Sequence, residues 1–238
     1  LDRGLYLILG GISLVLSIYT FNSPRVFIPL LVCGLVIFFF KKIRLQKKWV
    51  IGGLLCSALL LLPLIPHLLS PLGQLRFKEV NIFSDSGVVE KANERMDLDK
   101  NDLLGEIVHN RRVGYTLLFL NHYMDHFNID YLFFNGDINP KFSTRSTGQM
   151  FLIESVFLLA GVYFLLKNER KLGLFLLSWL VIGLIPAAMA RETPHALRSE
   201  VSLPMWQILS GAGFYYLYKE INLKWRKILL ISISILLV

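Results

Sequence analysis

A chain of 238 residues that is 54% hydrophobic and 13% aromatic, with a mean hydropathy of +0.55, is too apolar for a water-soluble domain of this length. The net charge of +8 does not point to nucleic acid: residues 41–48 carry +5, 167–171 carry +2 and 219–227 carry +3, whereas residues 67–147 sum to −2. Both cysteines, Cys33 and Cys56, fall inside apolar runs as small packing residues, which excludes a disulfide framework or a cysteine-based metal site.

The expected fold is all-α: a polytopic helical membrane bundle with one large extracytoplasmic loop. The first predicted segment covers residues 5–19 and has neither a basic flank nor a cleavage site of the signal-peptide kind. Ser23 as N-cap and Pro24 at the first helical position predict the start of the second, which runs to Phe40 and meets Lys41 and Lys42. A third covers 49–66, giving three spans within residues 1–66. Residues 148–238 predict four more: 148–166, an apolar run ending at Arg191, another ending at Lys219, and a final run, 228–238. That last run is shorter than the ~20 residues a spanning helix needs. With its non-Met start, the chain reads as the C-terminal-side part of a longer protein. Placing the three basic loops in the cytoplasm puts residues 67–147 and the turn 191–199 outside, in the multi-pass topology of a plasma-membrane protein.

The external loop divides in two. Residues 77–112 are polar, with a turn at Ser84-Asp85-Ser86-Gly87 and a helix expected over 88–96. Residues 113–134 are aromatic and apolar but hold two histidines and two aspartates, so an interfacial or re-entrant helix is expected rather than a span.

Four groups of residues could carry chemistry. Arg191, His195 and Arg198 stand where hydrocarbon meets water on the face that should be poor in arginine, and a guanidinium pair can grip a phosphate bidentately. Asp137, Asn139 and Arg145 lie in a turn-rich stretch that would face the same compartment, where the aspartate could equally cap a local turn. His122 and His126 share a helix face, the i, i+4 spacing of a zinc pair, yet the zincin glutamate and a third ligand are missing, so interfacial or substrate contact is the reading and no metal site is assigned. Glu154, about six residues into a predicted span, requires a partner or a wet cavity.

Tyr19-Thr20-Phe21-Asn22-Ser23-Pro24-Arg25-Val26-Phe27-Ile28-Pro29-Leu30, the run from His126-Phe127 to Asp137-Ile138-Asn139-Pro140, and Glu192-Thr193-Pro194-His195-Ala196-Leu197-Arg198-Ser199 together resemble GT-C type membrane glycosyltransferases, the relatives of protein O-mannosyltransferases and of the lipid A aminoarabinose transferase. The resemblance covers most of the chain from Tyr19 to Tyr218. It implies an inverting transferase that moves a sugar from a polyprenyl-phosphate donor to a glycan, lipid or protein acceptor at the extracytoplasmic face. It also implies that Arg191, His195, Arg198 and Arg25 face the donor phosphate, and that Asp137, Asn139 and Arg145 line the sugar or acceptor side. The family's general base, an aspartate in the first external loop, has no counterpart here and is expected before Leu1. Some relatives use a divalent cation, for which the sequence offers no complete ligand set. The competing expectation, a transporter or binding protein for a lipid-linked sugar or another anionic solute, predicts internal repeats that the sequence lacks.

Overall fold

The computed structural model describes residues 3–99, 102–222 and 225–227. Among them the regular structure is helical, apart from one isolated antiparallel bridge between Asn81 and Ala190. The predicted final run, 228–238, lies outside the described residues.

The first three helices are α1 (Arg3–Thr20), α2 (Asn22–Leu45) and α3 (Lys47–Leu61). α2 begins at Asn22 behind an extended Phe21, not at Pro24. Ser23 therefore caps nothing, and Pro24 sits in the first turn, where its missing N–H has no helical partner to lose. α1 and α3 run parallel: Gly4 lies against Trp49, the Gly53 backbone against Leu7 and Ile8, and the Tyr19 hydroxyl donates to the Leu60 carbonyl. The expected third segment is interrupted. α3 ends before Pro63, and the path resumes as α4 (Leu64–Leu69), because a proline ring blocks the carbonyl of the preceding turn.

The middle of the chain forms α5 (Pro71–Val80), a 3-10 turn (Ile82–Ser84), α6 (Ser86–Leu98), α7 (Leu103–Val108) and α8 (Arg111–Asp125). Asp85 caps α6 by accepting from the Gly87 N–H at 3.0 Å, so the helix expected over 88–96 is present and longer. The aromatic stretch 113–134 is not one helix. α8 stops at Asp125, and the Asn128 side chain then accepts from the Asp130 N–H at 2.9 Å, an alternative to helical pairing, before a π-turn over Asp130–Phe134.

The last part comprises α9 (Leu152–Asn168), α10 (Arg170–Ala188), α11 (Ala196–Ser199), a 3-10 turn (Glu200–Ser202) and α12 (Leu203–Glu220). α9 starts later than predicted, which changes the meaning of Glu154. It occupies the first turn, and its carboxylate accepts from the Phe151 N–H at 2.8 Å, favourable beside the positive end of the helix dipole. α9 and α12 also run parallel, with Phe157, Gly161 and Phe164 meeting Leu209, Gly213 and Tyr216 in the same chain order. Gly161 and Gly213 make this possible. A Cβ on either would strike the carbonyl of Leu209 or of Phe157 on the opposite helix.

α2 and α10 join the two parallel pairs through Phe27, Phe38 and Phe39 against Phe175 and Trp179, within a core that includes Leu31, Leu180 and the fully buried Leu209. Both helices are long and apolar enough to cross a membrane. Lys42 and Lys171 both stand over one ring, Phe39, at 5.9 and 5.3 Å, so the basic turns after α2 and before α10 share an end of the bundle. Since α12 parallels α9, its basic C-terminal side falls at that same end. The chemistry-bearing turns fall at the other.

Candidate functional site

The segment 189–199, made of the connection after α10 together with the short α11, is the hub of that other end. Its backbone pairs with the end of α5 and the residues that follow it: the Ile82 N–H donates to the Met189 carbonyl at 3.0 Å and the Arg191 N–H to the Val80 carbonyl at 2.9 Å. On the α8 side, the Thr193 hydroxyl donates to the Asp125 carboxylate at 2.6 Å. The Asp137 turn holds it from a third direction, with Oδ2 accepting from the Ala196 N–H at 2.7 Å while Oδ1 accepts from the Asn139 N–H at 2.8 Å. Thr193-Pro194 is a cis peptide.

His122 of α8 and His126, the residue that caps its C-terminus, are bound into this hub with defined tautomers. Nδ1 of His122 lies 2.8 Å from the Ala190 carbonyl, and Nδ1 of His126 lies 2.8 Å from the His122 carbonyl. A carbonyl only accepts, so each Nδ1 carries the proton. Nε2 of His126 then accepts from the His195 N–H at 3.3 Å, which requires a neutral ring. His126 is almost completely buried, and burial lowers its pKa below the usual histidine value, in keeping with that neutral form. With Nε2 so engaged, the His122/His126 pair does not fit a metal ion. Among the described residues no cluster of three His, Cys, Asp or Glu could hold one.

His195 is itself buried. Its Nδ1 lies 3.7 Å from Asp137 Oδ2 without a hydrogen bond, and its ring packs against Phe142 at 4.8 Å. Burial and then the neighbouring Arg198 lower its pKa, against an opposing pull from Asp137. Beneath this layer the Tyr131 hydroxyl meets the Ser199 hydroxyl at 3.0 Å, and burial pushes the Tyr131 phenol up to about 12.

The predicted phosphate-binding residues divide. Arg25 and Arg198 line one cavity of about 550 Å³ between the start of α2, α5 and the end of α10, and Lys78 of α5 lines it too. Among the described residues that line it there is no carboxylate; Asn22, Gln74 and Asn81 supply amides and Ser23 a hydroxyl. Arg198 is steadied by donating to the Glu192 carbonyl at 3.3 Å, and Arg25 reaches the Ile18 carbonyl at 3.4 Å. Arg191 is used differently, donating to the carbonyls of Asn81 and Ser84 at 3.4 and 3.1 Å and so pinning the 3-10 turn over Ile82–Ser84. Nor does His195 line the cavity; it belongs to the buried layer with Asp137 and His126.

On the expected acceptor side, Asn139 is committed to its own turn, its side chain accepting from the Lys141 N–H at 3.0 Å. Arg145 is exposed on a left-handed turn with φ 57°. Sequence reasoning missed Lys78, Asp125 and Thr193. Lys78 lay in a stretch read as a solvated cap, and nothing in its local pattern distinguishes it.

Comparison with protein-family models, with curated protein sequences and with solved structures yields no match. What the site can do is therefore argued from its residues.

Proposed function

We propose that this chain belongs to a multi-pass membrane glycosyltransferase of GT-C type, and that the cavity lined by Arg25, Lys78 and Arg198 receives the phosphate of a polyprenyl-phosphate sugar donor at the extracytoplasmic face. The observation that carries the proposal is that cavity: three cations from three separate elements, no carboxylate among the described residues that line it, and apolar walls from Val26, Leu68 and Pro186 suited to the start of an isoprenoid chain. Membrane embedding is supported by the two long apolar helices and by large side chains left facing outward on the helical surface, such as Ile37 at 76%, Leu59 at 67% and Leu159 at 72% exposure. The gathering of basic turns at the opposite end supports an extracytoplasmic site.

In this proposal the fixed cations hold the donor and stabilise charge on the departing phosphate oxygen; the acceptor hydroxyl gives its proton to a general base outside the described residues, bonds to the anomeric carbon and displaces polyprenyl phosphate as the C1–O bond breaks. Asp137 is not the base, because both its oxygens already accept backbone N–H groups. The test is transfer of labelled sugar from a polyprenyl-phosphate donor by the full-length protein in liposomes, beside Arg198→Glu and Arg25→Glu. Loss of donor binding and transfer in both variants is expected. Unchanged binding in both would overturn the phosphate assignment, and donor binding without transfer to any acceptor would favour the transport reading.

A further inference from the structure

We propose that His126 is the positioning residue of the anion cavity: its neutral ring latches the segment 189–199 in the conformation that holds Arg198 at the cavity wall. The proposal rests on the cavity binding a phosphate, as argued above, and adds an acid-sensitive control that does not follow from that reading. His126 lines no part of the anion cavity, so it acts through the backbone it holds.

The geometry leaves the ring one working state. Nδ1–H is committed to the His122 carbonyl, and Nε2 must present its lone pair to the His195 N–H, three residues before Arg198. Adding a proton to Nε2 turns an acceptor into a donor and sets two N–H groups against each other inside a nearly closed site. Two other holds on the segment, Thr193 on Asp125 and Ala196 on Asp137, flank this contact on either side, while the pairing of Met189 and Arg191 with Ile82 and Val80 anchors its start.

The charged and titratable groups around the ring are His122 and Asp125 on the helix it caps, His195 and, beyond it, Arg198 on the segment, Tyr131 edge-on at 5.9 Å, and Asp137 from the facing turn. They separate the two histidines by sign. A proton on His195 would face the Asp137 carboxylate and tighten the hub, whereas a proton on His126 loosens it. A loss of binding in acid therefore reports His126.

The test uses the full chain in nanodiscs and a dialkyl phosphate, whose single charge is constant across the range. Wild-type affinity should fall by about tenfold between about pH 7.5 and about pH 5, the scale of a lost buried acceptor. His126→Gln, which retains an acceptor without titrating, should show a flat profile; His126→Leu should bind weakly at every pH. Because either variant could fold poorly, hydrogen exchange on ligand-free wild type is the second readout: the protection factor of 191–199 should drop over the same range. A flat wild-type profile with strong binding, or constant protection, would overturn the latch while leaving the anion cavity in place. Absence of binding at any pH would remove both proposals.

Discussion

The backbone N–H of His195 donates to Nε2 of His126 at 3.3 Å, joining the end of α8 to the connection before α11 across 69 residues of chain. Around this contact that end of the bundle is built as a layer of backbone hydrogen bonds closed by side chains, among them Asp125, Asp137, Thr193 and Arg191. Arg25, Lys78 and Arg198 line the cavity beside it.

Asp137 should be a structural aspartate. Replacing it with Asn leaves one acceptor for two N–H groups, and the amide N–H₂ would face either Ala196 or Asn139. We expect Asp137→Asn to destabilise by about 1–3 kcal/mol and Asp137→Ala by at least as much. Thermal unfolding in detergent measures this; a wild-type midpoint in both variants would contradict the assignment.

Arg191 and Arg198, seven residues apart, should part company. Arg191→Gln removes donors to Asn81 and Ser84 at a partly solvated site, so its cost should be about 1 kcal/mol or less of stability, with anion affinity retained. Arg198→Gln should instead lower phosphate affinity by about tenfold or more with little change in melting. Paired calorimetric titration and thermal melts on the two variants check the contrast; equal losses of affinity would contradict it.

Alkaline pH should expose Tyr131. Its phenol is raised in the folded protein from 10.0 to about 12, so the unfolded chain ionises first. The stabilisation is complete below pH 10 and is lost as pH rises through the folded value, at most about 2–3 kcal/mol. Ultraviolet tyrosinate titration of wild type against Tyr131→Phe should assign one late-titrating phenol to this position. A difference spectrum with a midpoint near 10 would refute it.

Gly213→Leu should prevent the α9–α12 pair from closing, because a side chain there meets the Phe157 carbonyl and the Gly161 amide, and backbone cannot move aside as a rotamer can. Gly211→Ala, two residues away on roughly the opposite face of the helix with open space around it, is the control. Size-exclusion profiles in mild detergent should be monodisperse for the control and aggregated for Gly213→Leu.

The helical order and the grouping of basic turns were legible in the sequence because apolar runs and lysine-rich breaks are local properties. So was the pairing of the Asp137 turn with the His195 turn, since topology forces both to one end. The use of each cation was not legible. Arg191 and Arg198 look equivalent in sequence, but the bridge between Asn81 and Ala190 turns the first onto the carbonyls of Asn81 and Ser84, while the second, also bonded to a carbonyl, lines the cavity. Glu154 misled because an apolar run does not reveal where its helix begins. Four residues of offset turned an apparent intramembrane acid into a cap.

The two parallel helix pairs have a mechanical consequence. α1 with α3 and α9 with α12 are each drawn together at glycine contacts too close to slide, whereas α2 and α10 meet through aromatic rings that can re-stack. Any breathing that admits a bulky lipid would therefore run along the α2–α10 seam, and Arg25 and Arg198 would ride on its opposite banks.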